Sequence, residues 1–319
     1  MSTGGGSARA FSAQALDRRK FLGVLGAGAL APAALAACGT GAEPGRAKAA
    51  AKKDRGTITI GYVDWDEDIA VTELWKQLLE SKGYRVEAVR KGAVPELFRG
   101  VADSRLDVFM DAWLPSVHTE QWARYGGSLV DLGPWYEPGD LGLAVPDYVD
   151  EVESLVDLRE HADLFDGTIV GIEPTAGQTR TVDKSVIPEY GLRGKYRQKA
   201  KDTGTMLRAL DAAYSAERPI LVAMWRPHWA FSKYDIRYLD DPADAFGDPD
   251  KLHTLVSRKF HDRGDNEALE WLRNFRVTPD QLQGLEAAIQ DAGGAEHKTA
   301  TVESWIGDNE PLVKEWLPI

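Results

Sequence analysis

The chain has 319 residues, 43% hydrophobic and 28% charged, with a formal net charge of −12. That balance excludes wholesale disorder, and the acidity excludes nucleic acid as the main partner, because phosphate binding needs clustered Lys and Arg. The single cysteine, Cys38, excludes an intramolecular disulfide and any cysteine-based metal site.

The first predicted segment is an address. Asp17-Arg18-Arg19-Lys20-Phe21-Leu22 sets an Arg pair before two bulky apolar residues, the pattern of a twin-arginine export signal. Phe21 to Ala37 is rich in Ala, Gly and Leu, contains Pro32, and is only weakly hydrophobic. A spanning helix needs about 20 strongly apolar residues, so this reads as a signal-peptide core. Leu35-Ala36-Ala37-Cys38 resembles the bacterial lipobox, which predicts cleavage before Cys38 and lipidation of its thiol. Residues 1–37 are therefore the expected signal peptide. Residues 38–56, without an apolar period, are the expected lipid-anchored flexible linker. This places the folded part at the outer face of the cytoplasmic membrane.

Thr57 to Val63 has the β-branched density of a buried strand, and Ile69 to Ser81 shows helical spacing. A strand over Tyr84–Val89, a helix over Pro95–Ala102 and a short strand over Asp107–Met110 follow. The β-α-β-α-β rhythm predicts a parallel sheet with helices on its faces. Leu141 to Val145 reads as a connecting strand before Pro146. A second α/β rhythm then begins, with strands at Thr168–Ile172 and Pro219–Met224 and helices at Gly177–Tyr190 and Met206–Ala216. Leu252–Ser257 is the candidate return strand, and helices are expected over Asn266–Arg276, Pro279–Asp291 and Thr299–Leu317. The fold class is α/β, with lobe 1 at 57–145 and 248–319 and lobe 2 at 146–247. Two crossings between the lobes make a hinge with an interlobe ligand cleft.

Ligands of such sheets sit beyond the carboxyl ends of the strands. Trp65, Trp113 and Trp225 are each expected just past a strand end, facing the cleft. Trp75, Trp122, Trp271 and Trp316 have helical spacing with apolar neighbours and read as core. Trp229 reads as lobe packing, and Tyr62 and Tyr136 are secondary candidates for the cleft wall. Three indoles together make an aromatic cage. A trimethylammonium group has charge but no N–H donor, so ring faces are its natural partners, each contributing ~0.5–2 kcal/mol once desolvated. Glu173-Pro174-Thr175-Ala176-Gly177-Gln178 opens a helix after a strand, and its free amides suit an anion. Gly177 permits close backbone approach. His118, five residues beyond Trp113, is a candidate donor.

These segments resemble the glycine betaine-binding proteins of ABC importers. The resemblance rests on Gly61 to Asp66, Asp107 to His118, Val170 to Gln178 and Ala223 to Trp229, and extends over most of 57–317. It implies the two-lobed type 2 periplasmic-binding-protein fold. It implies a cage of Trp65, Trp113 and Trp225, with His118 and the amides of Gly177 and Gln178 on the carboxylate. It further implies a monomer that needs no cofactor and delivers its ligand to permease and ATPase subunits. Gln178 departs from the small or apolar residue common there, which leaves proline betaine, carnitine and choline open beside glycine betaine. A ligand-presenting sensor is the alternative role. An esterase is disfavoured because neither Gly-x-Ser-x-Gly nor His-Glu-x-x-His occurs.

Overall fold

The computed structural model describes residues 55–264 and 266–318. The expected export signal, Cys38 and the linker up to residue 54 lie outside the described residues. Arg55, at the end of that linker, is already held: its backbone N–H donates to the Gly83 carbonyl at 3.1 Å.

The first lobe starts with β1 (Thr57–Tyr62), in which Ile58 and Ile60 are fully buried. Helix α1 (Asp66–Ser81) opens on three acidic residues, a favourable charge at a helix N-terminus, and buries Leu74, Trp75 and Leu78. Next come β2 (Arg85–Arg90), α2 (Val94–Ala102), β3 (Val108–Leu114), α3 (Thr119–Tyr125) and the long β4 (Leu129–Pro146). The second lobe contains β5 (Thr168–Gly171), α4 (Gly177–Thr181), α5 (Ile187–Glu189), β6 (Arg197–Ala200), α6 (Thr203–Tyr214), β7 (Val222–Arg226), α7 (Ala230–Lys233) and β8 (Ile236–Tyr238). The chain then returns with β9 (Asp250–Ser257) and closes with α8 (Arg258–Asp262), α9 (Asn266–Asn274), α10 (Pro279–Asp291), α11 (Lys298–Asp308) and α12 (Glu310–Trp316).

The strand order is β2-β1-β3-β9-β4-β7-β5-β6, with β8 paired to β4. In the first lobe β1, β2 and β3 run parallel, and β9 lies antiparallel between β3 and β4. In the second, β5 runs parallel to β6 and β7, and β7 lies antiparallel to β4. Strand β4 belongs to both lobes. It pairs with β9 from Leu129 to Gly139, and with β7 and β8 from Asp140 to Pro146. The partner change therefore falls ahead of Val145, where the sequence led us to expect the lobe boundary. One buried cluster runs from the first lobe across to Met206, Trp225 and Trp229. A second, around Leu143, Ile169, Val182 and Leu221, lies within the second lobe.

Two strands are longer than their sequence signal. β3 continues through Asp111 to Leu114, and β7 includes Trp225 and Arg226, so Trp113 and Trp225 lie within strands rather than beyond them. Strands buried on both faces read as continuous apolar runs, and the Asp111 carboxylate interrupts that run in the sequence while being buried in the fold. The helix expected over Thr299–Leu317 is two helices, broken at Asn309 ahead of Pro311, whose ring cannot continue a hydrogen-bonded turn.

Candidate functional site

The three candidate indoles meet. Trp65 precedes α1 in an extended conformation, Trp113 pairs with Leu252 across β3 and β9, and Trp225 pairs with Leu141 across β7 and β4. All three line one cavity between the lobes, together with Gly177, Gln178 and Glu67. The three rings leave little free space between them.

Each indole N–H is satisfied by a carboxylate. Trp113 donates to Asp111 at 3.0 Å within its own strand. Trp65 donates to Glu173 at 3.2 Å and Trp225 to Glu67 at 3.0 Å, and both of these bonds cross the cleft. With their polar edges engaged, the rings offer a ligand their apolar, electron-rich surfaces. Sequence reasoning missed this carboxylate layer. Asp111 and Glu173 lie inside quoted motifs, but a buried acid and a surface acid look alike in a sequence. Glu67 reads as an ordinary first-turn helix acid.

The wall behind the rings is acidic. Burial, then the neighbouring Asp111 and Glu286, hold the Glu67 carboxyl well above the usual carboxylate range. Burial pushes Asp111 up to about 7, and the N–H of Trp113 opposes that shift. Burial likewise raises Glu286. A cation placed beside these acids would favour their ionised form.

His118 is buried one layer back. Its ring stacks on Trp65 at 6.1 Å and meets Phe98 edge-on at 5.7 Å, and it is not among the residues lining the cavity. Its Nδ1 accepts the backbone N–H of Trp113 at 2.9 Å, so the proton of the neutral ring sits on Nε2. Nε2 is buried and has no partner among the described residues. Burial, with a smaller contribution from Arg180, lowers the His118 pKa to about 3, which keeps the ring neutral.

Gly177 is needed where the two lobes touch. A Cβ there would meet Val117 Cγ1 at 2.4 Å and the Val117 carbonyl oxygen at 2.6 Å. Arg180 donates to that same carbonyl at 3.0 Å. The start of α4 has no side-chain cap, which leaves its first amides without a side-chain acceptor. Gln178 turns its Nε2 to the carbonyls of Met224 at 2.6 Å and Gly142 at 3.4 Å, leaving a buried Oε1 without a partner among the described residues.

A second, larger space of about 760 Å3 is lined by Trp65, Glu173 and Trp229. Trp229 lines this groove rather than the cavity of the three indoles, whereas Tyr62 and Tyr136 line neither space.

The family model described as the substrate binding domain of ABC-type glycine betaine transport systems matches residues 56–308. The glycine betaine/carnitine transport binding protein GbuC of Listeria monocytogenes is 31% identical over 150 residues, 47% of this chain. The match spans about half of that relative, 48% of its length. The glycine betaine/L-proline-binding protein ProX of Borrelia burgdorferi superposes with a TM-score of 0.76 at 29% identity, covering 82% of this chain and 97% of that one. Lactococcal OpuAC, solved closed with glycine betaine, superposes at 0.75 and 29% identity, covering 82% and 99%.

Proposed function

The chain belongs to the family of substrate binding domains of ABC-type glycine betaine transport systems, and on that premise we propose that it captures a quaternary-ammonium solute, glycine betaine first, for an importer. The observation that carries this reading is the meeting of three indoles at one cavity, each with its N–H tied to a carboxylate. A trimethylammonium group fits such a wall because it has positive charge and nothing to donate. Three rings at ~0.5–2 kcal/mol each give a useful share of the ~8 kcal/mol that micromolar binding represents. The carboxylate end goes to the amides of Gly177 and Gln178, which line the cavity, while His118 stands one layer back, stacked on Trp65. The family is one of solute-binding domains rather than enzymes.

Gln178 favours a second reading. Gln178 lines the cavity and keeps a buried Oε1 without a partner among the described residues, an acceptor that suits the hydroxyl of carnitine or choline better than a carboxylate. Calorimetry on the folded part with glycine betaine, proline betaine, carnitine and choline separates the readings. Micromolar binding of glycine betaine is expected, and no heat with any of the four overturns the proposal.

Around this site we place the rest of the sequence reading. The chain is exported, lipid-anchored at Cys38 and monomeric, and its partners are the permease and ATPase of the importer. A sensor would use the same cleft with a different receiver.

A further inference from the structure

Glu67 is a buried acid in the wall of a cation site, with no basic partner among the described residues. It is 1% exposed. Oε2 accepts the Trp225 N–H at 3.0 Å, while Oε1 is buried and unpaired. The groups around it give no compensating positive charge. Asp111 stands on β3, Glu286 on α10, Asp66 and Asp68 beside it on α1, and Tyr136 on β4. At the end of β7, Arg226 lies 3.8 Å from Asp140, and His228 faces Asp66 at 3.5 Å. A carboxylate this dehydrated and this poorly paired holds a proton while the cavity is empty.

We propose that Glu67 is the counter-charge of the cage: entry of a quaternary ammonium group drives the Glu67 proton out to solvent, so that cation capture and proton release are one event. The inference rests on the functional reading above. The balance is simple. A neutral acid and a free cation become a carboxylate–cation pair and one proton in the buffer. The sign follows from linkage. Binding strengthens as pH rises, by up to tenfold per pH unit while Glu67 is protonated in the empty protein, and levels off once it is ionised there. Selectivity also follows, because an uncharged isostere gives the proton no reason to leave.

The test is calorimetry of the full chain with tetramethylammonium and with glycine betaine, in two buffers of different ionisation enthalpy. Wild type is expected to release between about half and one proton per cation bound. Glu67→Gln is expected to bind without release and with a pH-independent affinity, whereas Asp111→Asn still releases. Infrared difference spectra of wild type should lose a protonated-carboxyl band on binding, a readout that needs no variant to fold. Binding without proton release overturns the inference alone. Release that persists in Glu67→Gln, or that vanishes in Asp111→Asn, overturns it as well. Failure of wild type to bind either cation overturns the functional reading and this inference with it.

Discussion

The indole N–H of Trp65 donates across the cleft to Glu173 at 3.2 Å, and the same carboxylate accepts the backbone N–H of Thr203 at 3.1 Å. Glu173 is thus anchored in its own lobe while holding a ring of the other. The Trp225–Glu67 bond runs in the opposite sense. The two together mean that the Trp65 and Trp225 rings are steadied only when the lobes meet, so ligand binding and closure favour each other.

Glu173→Ala is expected to weaken glycine betaine binding about tenfold, ~1.4 kcal/mol, at the upper end of what a typical hydrogen bond contributes. Thermal unfolding should change little. Small-angle scattering of the variant with ligand should show a larger open fraction than wild type. Unchanged affinity would remove Glu173 from the closing contact.

Trp225→Ala is expected to cost at least tenfold in affinity, since it removes a ring and strands Glu67. A change below twofold, measured by calorimetry, would take Trp225 out of the cage. Trp75→Ala is the contrasting case. Trp75 is fully buried and packs edge-on against Phe275 at 5.4 Å. Its truncation should cost ~3–5 kcal/mol in urea unfolding, with affinity preserved in the fraction that folds.

Gly177→Ala should separate closure from folding. The added methyl collides with Val117 only when the lobes meet. Affinity should drop at least tenfold while the melting temperature of the empty protein holds or rises slightly. A normal affinity would show that the contact yields.

His118 gives a pH signature. Folded, it takes no proton until the pH falls to about 3. Unfolded, it takes one near pH 6.5. Between those values the unfolded state binds the extra proton, so stability falls as pH falls, by up to ~1.4 kcal/mol per unit. Asp111, protonated up to about 7 in the fold, works the other way: its contribution is lost as pH rises from the ordinary carboxylate range towards 7. Comparing urea midpoints of wild type and His118→Asn from pH 6 down to 4 isolates the histidine part. The variant's slope should be shallower, and equal slopes would contradict a neutral buried ring.

The rhythm of strands and helices was legible because Ile58 and Ile60, or Leu74 and Leu78, carry periodicity in the chain itself. The meeting of Trp65, Trp113 and Trp225 was legible through motif positions, although two of them lie inside strands. Short edge elements such as Arg197–Ala200 escaped, because a polar four-residue strand has no apolar period to read. The carboxylate layer escaped for a different reason. Whether Glu67, Asp111 or Glu173 is buried depends on what folds over it from distant parts of the chain, and local pattern holds no record of that.

Strand β1 runs from the entry point at Arg55 to the turn that delivers Trp65. Its six residues at about 3.3 Å each put roughly 20 Å between the two ends. Arg55 and Trp65 therefore stand beyond opposite ends of one strand, so the chain enters the first lobe a full strand length from the indole it delivers to the cavity.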